Sequence, residues 1–222
     1  MKKVVLFILI PVCMFAQAGN ENVSYSGGLF FTRANRPTNT EYKIDGTPYI
    51  DGKEFKKAMV DGYRQNIKYM RYNAYEDEIE FEQNGIIYFV DKEDGLTVRM
   101  PEINKVYQAL KYKINGRTYF GYLVLLFPGS KVSLYKLEKV ELLKGEKSPS
   151  AYGKDENDYF VKAKDLYLQG NRGRIDAFPK STKDAIRRFS PLKKGVYQFI
   201  DEEKIRFNKE DDVMKLIEFL NQ

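Results

Sequence analysis

The chain contains no histidine and no tryptophan, and its one cysteine, Cys13, lies near the start of its 222 residues. Without imidazole there is no Ser-His-Asp triad and no histidine base. Without a thiol in the remainder there is no cysteine nucleophile and no thiolate ligand. Zinc enzymes and cysteine hydrolases are thereby excluded. Long apolar runs are scarce as well. Val4 to Phe15 is one, broken by Pro11, and no later stretch reaches the roughly twenty residues that a bilayer crossing needs.

That run reads as the centre of an export signal. Lys2 and Lys3 give it a positive start, and Ala16-Gln17-Ala18 supplies the small residues that a signal peptidase prefers. Cleavage after Ala18 starts the mature chain at Gly19 and removes Cys13, so an oxidising compartment would hold the protein with no disulfide framework. Val12 is bulkier than the small residue that precedes a lipid-bearing cysteine, which argues for release over lipidation. The expected location is periplasmic or secreted.

Neither sign of charge is in large excess. Lys and Arg number 37 against 31 Asp and Glu, and loss of Lys2 and Lys3 takes the formal charge from +6 to +4. Along the sequence the two signs alternate, as on a solvated surface, which speaks against a nucleic-acid partner. With 43% hydrophobic and 31% charged residues, the composition is that of a globular protein with a core.

What the chain does have is turn signals. Asp45-Gly46, Asp51-Gly52, Asp61-Gly62, Asn84-Gly85, Asp94-Gly95 and Asn115-Gly116 separate short apolar or alternating runs, the pattern of strands joined by primed turns. Glu78 to Glu82 alternates with period two, which predicts Ile79 and Phe81 on a buried face and the glutamates in water. Asn84-Gly85 turns it into Ile86 to Val90, and Asn115-Gly116 joins Lys105–Ile114 to Arg117–Phe127. Tyr119 to Phe127 is apolar on both faces, as in a strand covered on two sides or part of an interface. Ser130 to Leu143 reads as one further long strand. Gly145 to Asp158, with Pro149, Gly153 and several acids, reads as a boundary or long loop. Tyr159 to Gln169 resumes the alternation, and Gly170 to Gly173 turns it into Arg174–Phe178. From Ser181 the period lengthens to that of helices. Ser181 with Asp184, Ser190 with Pro191, and Asn208 with Asp211 give N-terminal signals, while Val213, Leu216, Ile217 and Leu220 share one helical face.

The expected fold is therefore α+β: an antiparallel β-meander, as a curved sheet or partly open barrel, then a short β-hairpin and a C-terminal helical segment. The expected organisation is a signal peptide over 1–18, an extended segment over 19–41, a β domain over 42–178, and helices over 179–222 packed on the sheet.

Several groups could carry chemistry. Ser190-Pro191-Leu192-Lys193 fits Ser-x-x-Lys, but the companion motifs of that enzyme class are missing, and a helix cap explains it. Asp77, Glu78, Glu80 and Glu82 are a dense acidic group of the type a glycoside hydrolase uses, although evenly exposed glutamates lack the two unlike environments it requires. Asp91, Glu93 and Asp94, and the acids of 155–158, miss the spacing of a calcium loop and suit turns. No catalytic residue, metal ligand or cofactor is assigned. The most unusual stretch is Arg71 to Asp77, where Arg71, Tyr72, Asn73, Tyr75 and Asp77 combine rings with a guanidinium, an amide and a carboxylate. Such a mixture can recognise a sugar or peptide, or it can form a turn in which Asn73 and Asp77 satisfy backbone groups.

Gly46-Thr47-Pro48-Tyr49-Ile50, the Arg71 to Asp77 motif and the closing stretch, with Ala185-Ile186-Arg187-Arg188-Phe189, Phe199-Ile200 and Lys209-Glu210-Asp211-Asp212, resemble a set of uncharacterised exported bacterial proteins. That resemblance spans most of the mature chain and comes with no assigned activity. It implies export and one continuous architecture, and it transfers no catalytic residue. The reading reached is an exported, non-catalytic envelope protein that binds an unidentified ligand or protein partner, with Arg71, Tyr72, Asn73, Tyr75 and Asp77 as candidate contacts. The alternatives are a carboxylate-dependent hydrolase acting on envelope polysaccharide and a peripheral contact with acidic lipid through Lys and Arg.

Overall fold

Two Asn-Gly pairs set the local frame. Both residues take positive φ at Asn84-Gly85 (54° and 76°) and at Asn115-Gly116 (50° and 79°), the twist that suits a tight hairpin and that Asn and Gly tolerate best. The computed structural model describes residues 32–34, 44–63, 68–150, 153 and 155–222, so the predicted signal over 1–18 and most of segment 19–41 lie outside the described residues.

The strands are β1 (Thr32–Ala34), β2 (Lys56–Lys57), β3 (Met59–Val60), β4 (Tyr69–Asn73), β5 (Glu78–Gln83), β6 (Ile86–Val90), β7 (Thr97–Met100), β8 (Lys105–Ile114), β9 (Arg117–Phe127), β10 (Ser133–Leu137), β11 (Val140–Leu143), β12 (Tyr159–Lys162), β13 (Leu166–Asn171) and β14 (Arg174–Ala177). The helices α1 (Thr182–Phe189), α2 (Val196–Glu202) and α3 (Glu210–Asn221) follow. One sheet has the order β1-β6-β5-β4-β2, a second the order β14-β13-β10-β9-β8-β7-β3, and β11 and β12 form a separate ribbon.

The α+β class holds, but the simple meander does not. Within the larger sheet β8, β9, β10, β13 and β14 close into a five-stranded barrel through a parallel contact of β14 with β8 at Asp176 and Lys113. All other neighbours in the ring are antiparallel. In a ring of alternating strands an odd number forces the first and last to run the same way, so the seam must be parallel. A register shift between Leu134 and Tyr135 marks where β10 bends against β9.

Two further expectations are corrected. Ser130 to Leu143 is not one strand, because β10 ends at Leu137 and the chain turns out of the barrel into β11. The buried Glu138 at that exit is fixed by Lys105 and Lys136. Tyr159 to Gln169 likewise divides into β12 and β13. Gly145 to Asp158 forms the loop between the paired strands β11 and β12.

Strand alternation explains the three cores. On β8 and β9 the residues Tyr107, Ala109, Tyr122 and Val124 face the first sheet and pack with its Met70, Tyr72, Ile79 and Phe81. Neighbours of opposite parity, Tyr112 and Leu123, point into the barrel with Leu168 and the flanking Leu110, Tyr135 and Ile175. On the far side Val132, Leu134 and Tyr167 receive the helices through Phe189, Ile200, Val213 and Leu216. Hence Gly121–Val124 in the middle of β9 is buried, whereas Tyr119 and Phe120 at its start are exposed. Each fully buried side chain of this size stabilises by about 1.5–3 kcal/mol.

The helix signals hold at one point and shift at two. Ser181 is the N-cap of α1, its hydroxyl accepting from the Asp184 N–H. Ser190 is the C-cap of α1, not the start of another helix, and α2 begins after Gly195, whose φ of 81° suits a residue without Cβ. The helix α3 starts after Lys209 with no side-chain cap, one residue beyond the predicted Asn208. Three acidic residues in its first turn, Glu210, Asp211 and Asp212, complement the helix dipole instead.

Candidate functional site

The Arg71–Asp77 stretch is the last part of β4 and the turn into β5, and the fold gathers its side chains into two networks. Alternation places Arg71 and Asn73 on the outer face of the first sheet, opposite Glu80 and Glu78. Glu80 is only 1% exposed, and Glu78 is also buried. This overturns the expectation of a wet glutamate face, which holds only for Glu82. Residues 47–55 lie over that face: Pro48 accepts from the Ala74 N–H, and Tyr49 and Phe55 flank the Arg71 guanidinium at 4.1 and 4.4 Å from their ring centres. Glu80 accepts from the Tyr49 hydroxyl at 2.9 Å, Arg71 Nε at 2.7 Å and Asn73 Nδ2 at 2.7 Å. Arg71 also donates to the Lys53 carbonyl.

Asn73 Oδ1 in turn accepts from the N–H groups of Tyr75 and Glu76, closing the turn. Asp77 ends it in the left-handed region, φ 55°. Its Oδ1 accepts from the Tyr72 hydroxyl at 2.8 Å and the Tyr122 N–H at 3.1 Å, and its Oδ2 from Lys92 at 2.9 Å. This works because β9 carries Gly121 there: a Cβ would overlap the Asp77 carboxylate. Asn73 and Asp77 thus satisfy backbone groups, one of the two readings the sequence left open. Of the five candidate contacts Tyr75 alone is an exposed large ring, at 41%, and it stands edge-on to Phe160 of β12.

A charged ladder that sequence reading missed joins the 47–55 segment to α3 across β8 and β10. Lys105 binds Asp51 and Glu138, and Lys136 binds Glu138 and Glu210. The hydroxyl of Tyr107 reaches the Asp51 and Glu138 carboxylates. The Lys136 ammonium is held above its ordinary range: burial opposes the charge, and the hydrogen bond to Glu210 with the field of Glu138 outweighs it. Burial first, then the adjacent carboxylates, raises the phenols of Tyr49, Tyr72 and Tyr107 well above their ordinary range. In Tyr112 burial and then Asp77 push it up to about 12. The Tyr49, Tyr72 and Tyr107 phenols are hydrogen-bond donors to carboxylates. Period-two placement of Lys105 and Tyr107 on β8 was the only sequence trace of this ladder, and its partners lie as far apart as 74 residues, at Lys136 and Glu210.

The remaining predicted groups have structural partners. Lys193 lies over the Phe219 ring at 4.6 Å, and Ser190 closes α1 as its C-cap, its N–H bonding to the Ile186 carbonyl. Asp158 accepts from Lys144 and the Gly145 N–H, and Asp155 from the Ser148 N–H, which fastens the β11–β12 loop. Glu93 accepts from the Tyr63 hydroxyl. Among the described residues no group of three or more Asp, Glu, His or Cys is placed to hold a metal ion.

Two features of the exterior remain. Opposed residues of an antiparallel pair share a face, so Leu143 with Tyr159, and Val161 opposite Glu141, form the outward side of the ribbon. Leu143, Tyr159 and Val161 are 38–39% exposed. The inward side carries the buried Val140, and Phe160 packs on the first core. The second feature corrects the picture of evenly mixed charge. Three adjoining clefts at the β14–β8 seam are lined by eight Lys or Arg and three Asp.

No family model, no curated protein and no solved structure matches the chain.

Proposed function

We propose that the mature chain is an exported, non-catalytic envelope protein that engages a protein partner through the outward face of the β11–β12 ribbon, with Tyr75 beside it. The observation that carries this reading is the apolar triplet Leu143, Tyr159 and Val161, presented on a ribbon that is fixed at both margins. The Val140 N–H donates to the Ala74 carbonyl on one margin, and the Phe160 N–H to the Asp45 carbonyl on the other. A preformed apolar surface loses little conformational entropy on binding. Neighbouring exposed apolar groups of this kind mark contact sites more often than isolated ones.

The chemistry of the interior supports binding over turnover. Glu80 and Glu138 are each matched by a cation inside the fold, as a supporting network requires, and the raised phenols serve as donors. The clefts at the barrel seam contain carboxylates, but two of the three face a Lys or Arg at 2.9–3.1 Å.

Size-exclusion of gently solubilised envelope extract tests the proposal. The wild-type protein elutes in a complex larger than itself, and Leu143→Asp with Val161→Asp elutes at monomer size with an unchanged circular dichroism spectrum. Co-elution of the two proteins would overturn it.

A further inference from the structure

We propose that the outer face of the barrel at the β14–β8 seam is a docking surface for an anionic membrane. The seam itself supplies the centre of this face. Lys113 is the residue opposed to Asp176 across the parallel contact, and Lys111 and Arg174 stand on the same outward side. Lys131 and Arg172 continue the basic surface past the β13–β14 turn, around a cleft of about 400 Å³ at the barrel end that Leu110, Tyr135 and Ile175 also line. Lys180, Arg187 and Arg188 extend it the other way, onto the start of α1, through a cleft of about 520 Å³.

The balance of eight cations to three carboxylates leaves an excess of five positive charges along the seam, against a formal +4 for the chain without Lys2 and Lys3. Two of the carboxylates are already matched, Asp94 by Lys111 at 3.1 Å and Asp184 by Arg187 at 2.9 Å. Lys113, Lys131, Arg172, Arg174 and Lys180 have no carboxylate partner among the described residues, and all five side chains are exposed. Unmatched cations gathered on one face generate a field that a fold does not need for its own stability, and that attracts polyanions.

The apolar component selects among polyanions. Phe120 is the residue opposed to Lys111 across β8 and β9, so it emerges on the basic face, and it is 42% exposed. Its neighbour Tyr119 is equally exposed but stacks on Tyr112 at 5.7 Å, so one side of its ring is already covered. A single-stranded nucleic acid needs a succession of open ring faces for its bases. A leaflet needs spread positive charge and an apolar side chain that can enter the headgroup region. The choice of a leaflet also rests on the export reading, and it uses a face different from that of the ribbon.

The test is co-sedimentation of the mature protein with vesicles of phosphatidylglycerol and phosphatidylethanolamine, against vesicles of phosphatidylcholine. Binding is expected to the first only, and to weaken as salt rises. Lys113→Glu with Arg174→Glu lowers the partition coefficient roughly tenfold or more, on the contribution of a cation at an anionic surface. The charge-matched pair Lys53→Glu and Lys68→Glu, exposed outside the strands and flanking β2 and β4, leaves it near the wild-type value. Phe120→Ser weakens binding without changing its salt dependence, and Leu143→Asp leaves it intact, so failure of the ribbon proposal is separable from failure of this one. Equal binding to both vesicle types, or wild-type binding by the seam pair, overturns the proposal. Tighter binding to a single-stranded oligonucleotide than to anionic vesicles at physiological salt also overturns it.

Discussion

Replacing Glu80 by glutamine isolates the Arg71 network with a change of one atom. Glu80 takes three donors on its two oxygens: Tyr49 and Arg71 on Oε2, Asn73 on Oε1. A glutamine has one acceptor oxygen. If that oxygen keeps Tyr49 and Arg71, its amide nitrogen faces Asn73 Nδ2, donor against donor. Asn73 cannot turn over to offer its oxygen, because Oδ1 is holding the Tyr75 and Glu76 N–H groups of the turn. The substitution also leaves the Arg71 guanidinium, with a side chain only 17% exposed, without its carboxylate. Breaking a buried pair in this way costs about 3–5 kcal/mol, which for a chain of this size lowers Tm by about 6–20 °C. Urea titration followed by circular dichroism measures it. The pair Arg71→Met with Glu80→Leu, which removes both charges, should cost less than Glu80→Gln alone. A Glu80→Gln protein within about 0.5 kcal/mol of the parent would refute the reasoning, since surface-like pairs are worth that little.

Gly121→Ala brings a methyl group onto the Asp77 carboxylate and displaces its bonds to Tyr122 and Lys92; a loss of about 1–3 kcal/mol is expected from overpacking, read by the same titration. The Asp212 carboxyl is held below its usual range, chiefly by the hydrogen bond from Arg206. Such a group adds stability above the ordinary carboxylate pKa and loses it as pH falls through the depressed value. Asp212→Asn is therefore less stable than the parent at neutral pH, and thermal melts across pH should converge below the carboxylate range.

How much of this was legible depends on the range of the interactions. Asn84-Gly85 and Asn115-Gly116 specify their hairpins locally, and Val213, Leu216, Ile217 and Leu220 mark the buried face of α3 by spacing alone. The Ser181 cap is equally local. Glu78 and Glu80 were misread because alternation says which residues share a face and not what covers it, and the cover of Glu80 includes Tyr49, 31 residues away. Barrel closure rests on the pairing of Asp176 with Lys113, which no short window contains. The basic face was hidden for the same reason: Lys111 and Lys113 on β8, and Arg172 and Arg174 in the turn before β14 and at its start, alternate with neutral residues in sequence, and only the seam brings the two pairs together. In Arg71–Asp77 the residue types were the right ones to notice. Their partners, which decide between a turn and a binding site, are supplied from elsewhere in the fold.

The most direct measurement on the proposed function is site-specific photocrosslinking in the intact cell. A photoreactive residue at Val161, on the outward side of the ribbon, should yield one discrete adduct with an envelope protein, lost when Leu143→Asp is added. The same residue at Lys215, on the exposed side of α3, should yield none. Absence of any adduct at Val161, or the same adduct from both positions, would contradict the account.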